Sequence, residues 1–193
     1  MGSLIALDDS VLAVVDVQAG FLDRVEPERG GRFLERITWL VAVAARLEVP
    51  MLVTVENESA WGGVHASVAA ELPAGVAVHD KRSFGLCDDR RVWEALVAVE
   101  RKTVILCGME TEVCVAQSAL GLLDRGLAPH VVLDAITSPR DGHELGLERM
   151  RGAGVPRVSA KGVFMEWVRT PEACRGFEAA HPQLFASDAP VLI

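Results

Sequence analysis

Residues Val11–Val17, VLAVVDV, are apolar and mostly β-branched with a single interruption, Asp16. A strand with one face in water alternates apolar with polar residues, so a run this continuous belongs to a strand buried on both faces. Both faces are buried where crossover helices cover a parallel sheet. The rest of the chain repeats the theme. Arg32–Leu47 has apolar residues at helical spacing, and Pro50–Val55 reads as a second strand. A short strand near Val76–His79 follows, then a helix over Asp89–Val99 and a strand over Lys102–Cys107. Glu112–Arg125 is helical and stopped by Gly126, His130–Leu133 is a strand, Gly142–Gly152 a helix and Val155–Ser159 a short strand. Strands alternating with helices, joined by right-handed crossovers, predict an α/β fold: a three-layer α/β/α, doubly wound, mainly parallel sheet of Rossmann-like topology. No repeat or linker divides the 193 residues, so 1–193 is expected to be one domain, with an edge helix and docking arm from about 171 to 193.

Charge narrows the partners. The formal net charge is -8 and no Lys/Arg cluster exceeds a pair, so there is no basic face to displace counterions from nucleic-acid phosphates. Apolar stretches such as Val11–Val15 and Val41–Ala45 are far too short to span a bilayer, and MGSLIALDDS lacks the basic and long apolar regions of a secretory signal. The four cysteines, Cys87, Cys107, Cys114 and Cys174, have no CxxC spacing. Together these point to a cytoplasmic protein in a reducing compartment, without nucleic-acid or membrane partners.

In a doubly wound sheet, sites form beyond the carboxyl ends of the strands. Three polar residues fall there. Asp16 ends the first strand, where a carboxylate is costly to bury unpartnered, although a turn or cap role explains such a residue equally well. Lys81 follows the short third strand in HDKRSFG; on its own it reads as one more solvated lysine. Cys114 follows the strand that closes at Gly108. With Thr111 as N-cap and Glu112 in the first turn, it falls where free amides and the helix dipole stabilise a thiolate. A thiolate attacks carbonyl carbon, whereas most free cysteines, Cys107 among them, simply fill core.

Taken together, VLAVVDVQAGF, KRSF, CGMETEVCVAQSALGLLDRG and VVLDAITS resemble the isochorismatase-like cysteine hydrolase family, which includes nicotinamidases and carbamoylsarcosine amidohydrolases. The resemblance runs from about Val11 to Trp167, and its most specific part is G-x-E-T-x-x-C-V around Cys114. It implies an Asp-Lys-Cys triad of Asp16, Lys81 and Cys114. It also implies a cis Met109–Glu110 peptide and an oxyanion site made of the Glu110 and Cys114 amides. The implied reaction is hydrolysis of a small amide or related C–N substrate through a thioester, Asp16 moving the proton and Lys81 supplying positive charge.

Nicotinamidases carry an Asp-x-His-x-His element after the second strand. VTVENESAWGGVH has none, His65 stands alone, and His79, His130, His143 and His181 are dispersed, so no metal or other cofactor is expected. The resemblance is therefore to the short, metal-free members, and there the pocket walls come from Gln18, Phe21, Asn57, Trp61 and Phe84. Trp61, in a Gly-flanked loop, suits a pocket or a subunit contact equally, and Phe164 and Trp167 carry the same ambiguity. Cys87 reads as a spectator. Two other functions share the fold: isochorismatase-type cleavage of a vinyl ether with the Asp and Lys alone, and a non-catalytic binding or assembly protein that retains the triad. A nucleotide-binding oxidoreductase is disfavoured, because no GxGxxG follows the first strand. Trp39, Trp61, Trp93, Phe177 and Phe185 are many large aromatics for one core, which predicts a homo-oligomer acting on a small molecule.

Overall fold

The structure is a computed structural model and describes residues 4–186. Six strands form one sheet: β1 (Ser10–Val15), β2 (Met51–Glu56), β3 (Val78–Lys81), β4 (Thr103–Met109), β5 (Ala128–Thr137) and β6 (Arg157–Val158). Their order is β3-β2-β1-β4-β5-β6 and every pair is parallel. The chain thus winds outward from β1 in one direction and then, after β3, in the other. The α/β, doubly wound architecture expected from the sequence is the one observed.

Nine α-helices are described: α1 (Ala19–Leu22), α2 (Pro27–Arg46), α3 (Glu58–Trp61), α4 (Ala66–Ala69), α5 (Arg90–Ala98), α6 (Ala116–Asp124), α7 (Gly142–Gly152), α8 (Ala160–Val168) and α9 (Pro171–Ala180). The central strands divide the interior into two cores. From β1, Leu12 and Val14 face the layer of α2, α8 and α9, while Val11, Ala13 and Val15 face α5, α6 and α7. From β4, Ile105, Cys107 and Met109 go to the first layer, and Val104 and Leu106 to the second. All residues of β1 and β4 are buried, which is why their sequences show no alternation.

Several boundaries differ from the sequence reading. Helix α2 begins at Pro27 rather than Arg32 because the Glu26 carboxylate accepts from the Glu28 and Arg29 amides, and proline at N1 continues the cap through the Gly30-Gly31 pair. Strand β5 runs ten residues instead of four, and β6 shrinks to two. The segment before α6 is not an ordinary first turn. Thr111–Val115 is a π turn, with the Val115 amide bonded to the Glu110 carbonyl and the Ala116 amide to that of Thr111. Thr111 is therefore not the N-cap; its hydroxyl pairs with His143 Nδ1 at 3.0 Å.

The aromatic excess also finds places within the chain. Trp39, Phe164, Phe177 and Phe185 form one cluster of edge-on and tilted rings, 5.2–6.1 Å apart. Trp39 Nε1 donates to the Leu184 carbonyl at 2.9 Å, tying α2 to the segment after α9. Trp93 lies under Arg125. Trp39 is buried by this packing, whereas Trp61, Trp93, Phe177 and Phe185 remain partly exposed. Trp167 is buried and donates to Ser10 Oγ, at the amino end of β1, away from the strand ends expected to carry chemistry. The edge helix expected near 171 is α9; residues 187–193 of the expected arm lie outside the described residues. Among the described residues, no helix is long and apolar enough to cross a membrane.

Gly108 sets the approach of β4 to β1. Its φ of +127° is one that only glycine adopts readily, and a Cβ there would collide with the Val15 carbonyl oxygen. Gly108→Ala is expected to destabilise the fold by about 3 kcal/mol, read as a lower midpoint in urea unfolding; a loss below about 0.5 kcal/mol would mean that these strand ends relax freely.

Candidate active site

The strand order puts β3, β2, β1 and β4 side by side, so residues at four consecutive carboxyl ends can meet. Asp16 follows β1 with φ +50°, a left-handed turn that Asp tolerates better than most residues. Lys81 is the last residue of β3, not a loop residue beyond it, and its side chain is fully buried. Cys114 lies in the π turn after β4 and is 4% exposed.

Lys81 Nζ stands 2.6 Å from Asp16 Oδ2 and 3.7 Å from Cys114 Sγ. Its third partner is the Ser83 carbonyl at 2.9 Å. The other Asp16 oxygen accepts from Thr54 Oγ1 at 2.8 Å, and the Asp16 amide donates to the Thr54 carbonyl. The ammonium thus sits between a carboxylate and a sulfur, with its remaining donor satisfied by backbone.

Burial raises the Asp16 carboxyl above its ordinary range, with Lys81 and hydrogen bonds from Lys81, Cys114 and Thr54 pulling it back. Burial also pushes the Cys114 thiol strongly upward, the Asp16 charge adds to this, and Lys81 and the Glu110 amide oppose it. This corrects the expectation of a thiolate stabilised by a helix start: desolvation and the neighbouring carboxylate outweigh the favourable charges. The protonated form of the sulfur is thus favoured, with the Asp16 carboxylate and the Lys81 ammonium beside it. Cys107 is raised by burial alone, and burial pushes Cys87 up to about 11. All four cysteines are unbridged and buried.

Of the residues expected at the oxyanion site, Glu110 closes the cis Met109–Glu110 peptide, and its carbonyl accepts from the Val113 and Val115 amides on either side of Cys114. The Glu110 side chain points to an open cleft of about 800 Å³ lined by Arg24, Glu112, Pro139, Arg140, Asp141 and Gly142. The expected pocket walls behave differently from one another. Phe21 is buried and stacks on Trp61, ring centroids 5.1 Å apart, with the Arg24 guanidinium 4.2 Å over the indole. Gln18 is buried and spent on backbone: Oε1 accepts from the Glu56 amide, and Nε2 donates to the Glu56 and Gly62 carbonyls. Asn57, left-handed at φ +48°, accepts from Arg82 and Ser59. Phe84 is 53% exposed. His65 caps α4 by accepting from the Ser67 amide, and among the described residues no three His, Cys, Asp or Glu side chains are placed to hold a metal ion.

The sequence reading missed Thr54, Arg24 and Ser138. Thr54 had a signal, being the one polar residue within MLVTV. Arg24 had none. Ser138, fully buried after β5, accepts from the Thr111 amide at 2.6 Å and donates to the Glu112 carboxylate.

An Isochorismatase domain model matches residues 10–161, a span that includes all three charged and thiol groups. The chain belongs to the isochorismatase family. It is 32% identical over 181 residues to isochorismatase domain-containing protein 2 of Rattus norvegicus, covering 91% of this chain and 78% of that one. Among solved structures it is similar to the MAR1 ribonuclease of Caenorhabditis elegans, with TM-score 0.86 and 25% identity over 98% of this chain and 95% of that one. It shares its fold with the Escherichia coli YcaC product, an octameric hydrolase of unknown specificity: TM-score 0.80, 23% identity, 95% of this chain and 98% of that one. This isochorismatase-family chain therefore places the Asp, Lys and Cys of its sequence motifs within one buried constellation.

Because the Asp16 charge raises the Cys114 thiol, Asp16→Asn is expected to lower the pH at which that thiol ionises, although it removes the base. Thiolate absorbance near 240 nm, followed during a pH titration and corrected with Cys114→Ala, reads this shift. An upward shift would mean that Asp16 is uncharged beside the sulfur.

Proposed function

We propose that this protein is a cysteine hydrolase of small amides or related C–N substrates. The observation that carries the reading is the Lys81 ammonium within 2.6 Å of Asp16 and 3.7 Å of Cys114. Asp16 takes the thiol proton as the sulfur attacks the carbonyl carbon. Negative charge then develops on the carbonyl oxygen and is met by the Glu110 and Cys114 amides. Asp16 hands its proton to the leaving nitrogen, and ammonia or an amine departs, leaving a thioester. Water, deprotonated by Asp16, attacks the thioester and releases the acid and the free thiol. Throughout, Lys81 holds the carboxylate in place and offsets its charge. A nucleophile residue only 4% exposed suits a small substrate, and we take Phe21, Trp61, Asn57 and Phe84 as pocket walls, with Gln18 holding the main chain behind them. No cofactor takes part in this scheme.

A second reading has one observation in its favour. The Asp16–Lys81 pair is complete without the sulfur, and could protonate and cleave a vinyl ether as isochorismatases do. RNA is disfavoured as a substrate, because a net charge of -8 offers no phosphate-binding face. We take the protein to be a homo-oligomer in a reducing cytoplasm; the octameric YcaC product, which shares the fold, supports self-association.

Ammonia release from formamide, acetamide, propionamide and nicotinamide tests the reaction. Cys114→Ala is expected to reduce it to background; turnover unchanged in that variant would overturn the nucleophile, and ether cleavage surviving in it would favour the second reading. The pH dependence has a definite sign. Asp16 must be ionised to accept the proton, and burial raises its pKa, so activity is expected to fall on acidification at a pH above the usual carboxylate range. An acid limb at or below pH about 4 would place the essential base elsewhere. The apparent value belongs to the coupled Asp16–Cys114 pair.

A further inference from the structure

We propose that Ser138 is a positioning residue for the nucleophile, its hydroxyl fixing the π turn so that the Glu110 amide and Cys114 sulfur keep their relation. The proposal rests on the reading of Cys114 as nucleophile and adds a residue to it. Ser138 directly follows β5, whose Thr137 pairs with Met109 of β4, so it is anchored to the sheet immediately beside the turn. Its side chain has no exposed surface. One hydroxyl there performs two tasks: it accepts from the Thr111 amide at 2.6 Å and donates to the Glu112 carboxylate. With one proton and two lone pairs, a hydroxyl can do both at once, and no apolar side chain can do either.

The surroundings are shaped to keep this arrangement. A Cβ at Gly142 would occupy the place of the Glu112 carboxylate, and a Cβ at Gly146 would lie 2.7 Å from the Glu112 Cα and 2.8 Å from the Thr111 carbonyl carbon. Both glycines are on α7, four residues apart, so one helix face is cleared for the turn to press against it. A second strut, Thr111 Oγ1 to His143 Nδ1, comes from the same helix. Only one peptide separates the Thr111 amide from the Glu110 amide, and the Glu110 carbonyl accepts from the Val113 and Val115 amides that flank Cys114, both at 3.1 Å. A π turn is a single turn of i→i+5 bonds without the repeated ladder of an α-helix, so an external anchor carries more of its definition. Releasing Thr111 therefore moves Glu110 relative to Cys114, and misplacement by about 1 Å is enough to cost catalysis heavily.

The test compares wild type with Ser138→Ala, using iodoacetamide as the probe and peptide mass spectrometry to follow Cys114 between pH 7 and 10. Loss of the Glu110 contact leaves less thiolate, so labelling of S138A is expected to be about 10-fold slower. A merely structural serine predicts the opposite, because loosening the turn exposes the thiol and speeds labelling. Labelling at or above the wild-type rate overturns the proposal. Ammonia release from the amides above gives a second readout: kcat is expected to fall roughly 10- to 100-fold with KM little changed. If the wild type releases no ammonia from any of them, amide hydrolysis fails as the function while the labelling comparison still decides on Ser138. Should S138A not fold, Ser138→Cys, close in volume and a weak hydrogen-bonding group, carries the same comparison.

Discussion

A lysine ammonium with no solvent contact is the constraint around which this molecule is arranged. Removing a cation and a carboxylate from water costs several kcal/mol per ion before any contact is counted. Only a full set of partners offsets that cost. Lys81 comes from β3 and reaches past β2 to Asp16 at the end of β1, and the intervening strand contributes Thr54, whose hydroxyl bonds the same carboxylate. The remaining donors go to the Ser83 carbonyl and toward Cys114. Sheet order and ion pair are thus mutually dependent. The order β3-β2-β1-β4 brings the groups together, and a slip of one residue in β2 or β3 would turn Thr54 or Lys81 to the opposite face.

That same burial determines the character of the sulfur. The familiar picture of a reactive cysteine is a thiolate held by positive charge at a helix start. Here the protonated form is favoured by desolvation and by the carboxylate, and the turn is of the π type. In the proposed mechanism, proton transfer coincides with attack. Distances between Asp16, Lys81 and Cys114 then matter more than the charge of the sulfur at rest, and Thr54 and Ser138 are the supports that hold them.

Much of this was legible in the chain. The unbroken apolar runs of β1 and β4 revealed a parallel sheet because burial on both faces leaves no room for alternation. Asp16 and Cys114 stood out because each interrupts or follows such a run, whereas Lys81, behind the polar His79 and Asp80, gained meaning only from the family resemblance. Less visible were features that depend on contacts distant in sequence. The start of α2 was obscured by Gly30-Gly31, and the π turn has no local signature. Ser138 is one of many serines until β5 and the turn lie side by side. The mutual packing of the aromatics was hidden for the same reason: Trp39 lies far in sequence from Phe164, Phe177 and Phe185, yet their rings meet.

Gln18 holds the segment between β2 and α4 entirely through main-chain groups, those of Glu56 and Gly62. Main-chain groups are the same whatever side chains the segment carries. The segment that includes Asn57 and Trp61 can therefore change its chemistry residue by residue while its path, and the ion pair beneath it, stay fixed. Such an anchor separates the path of a segment from its chemistry: the fold constrains where the main chain runs and leaves open what its side chains carry.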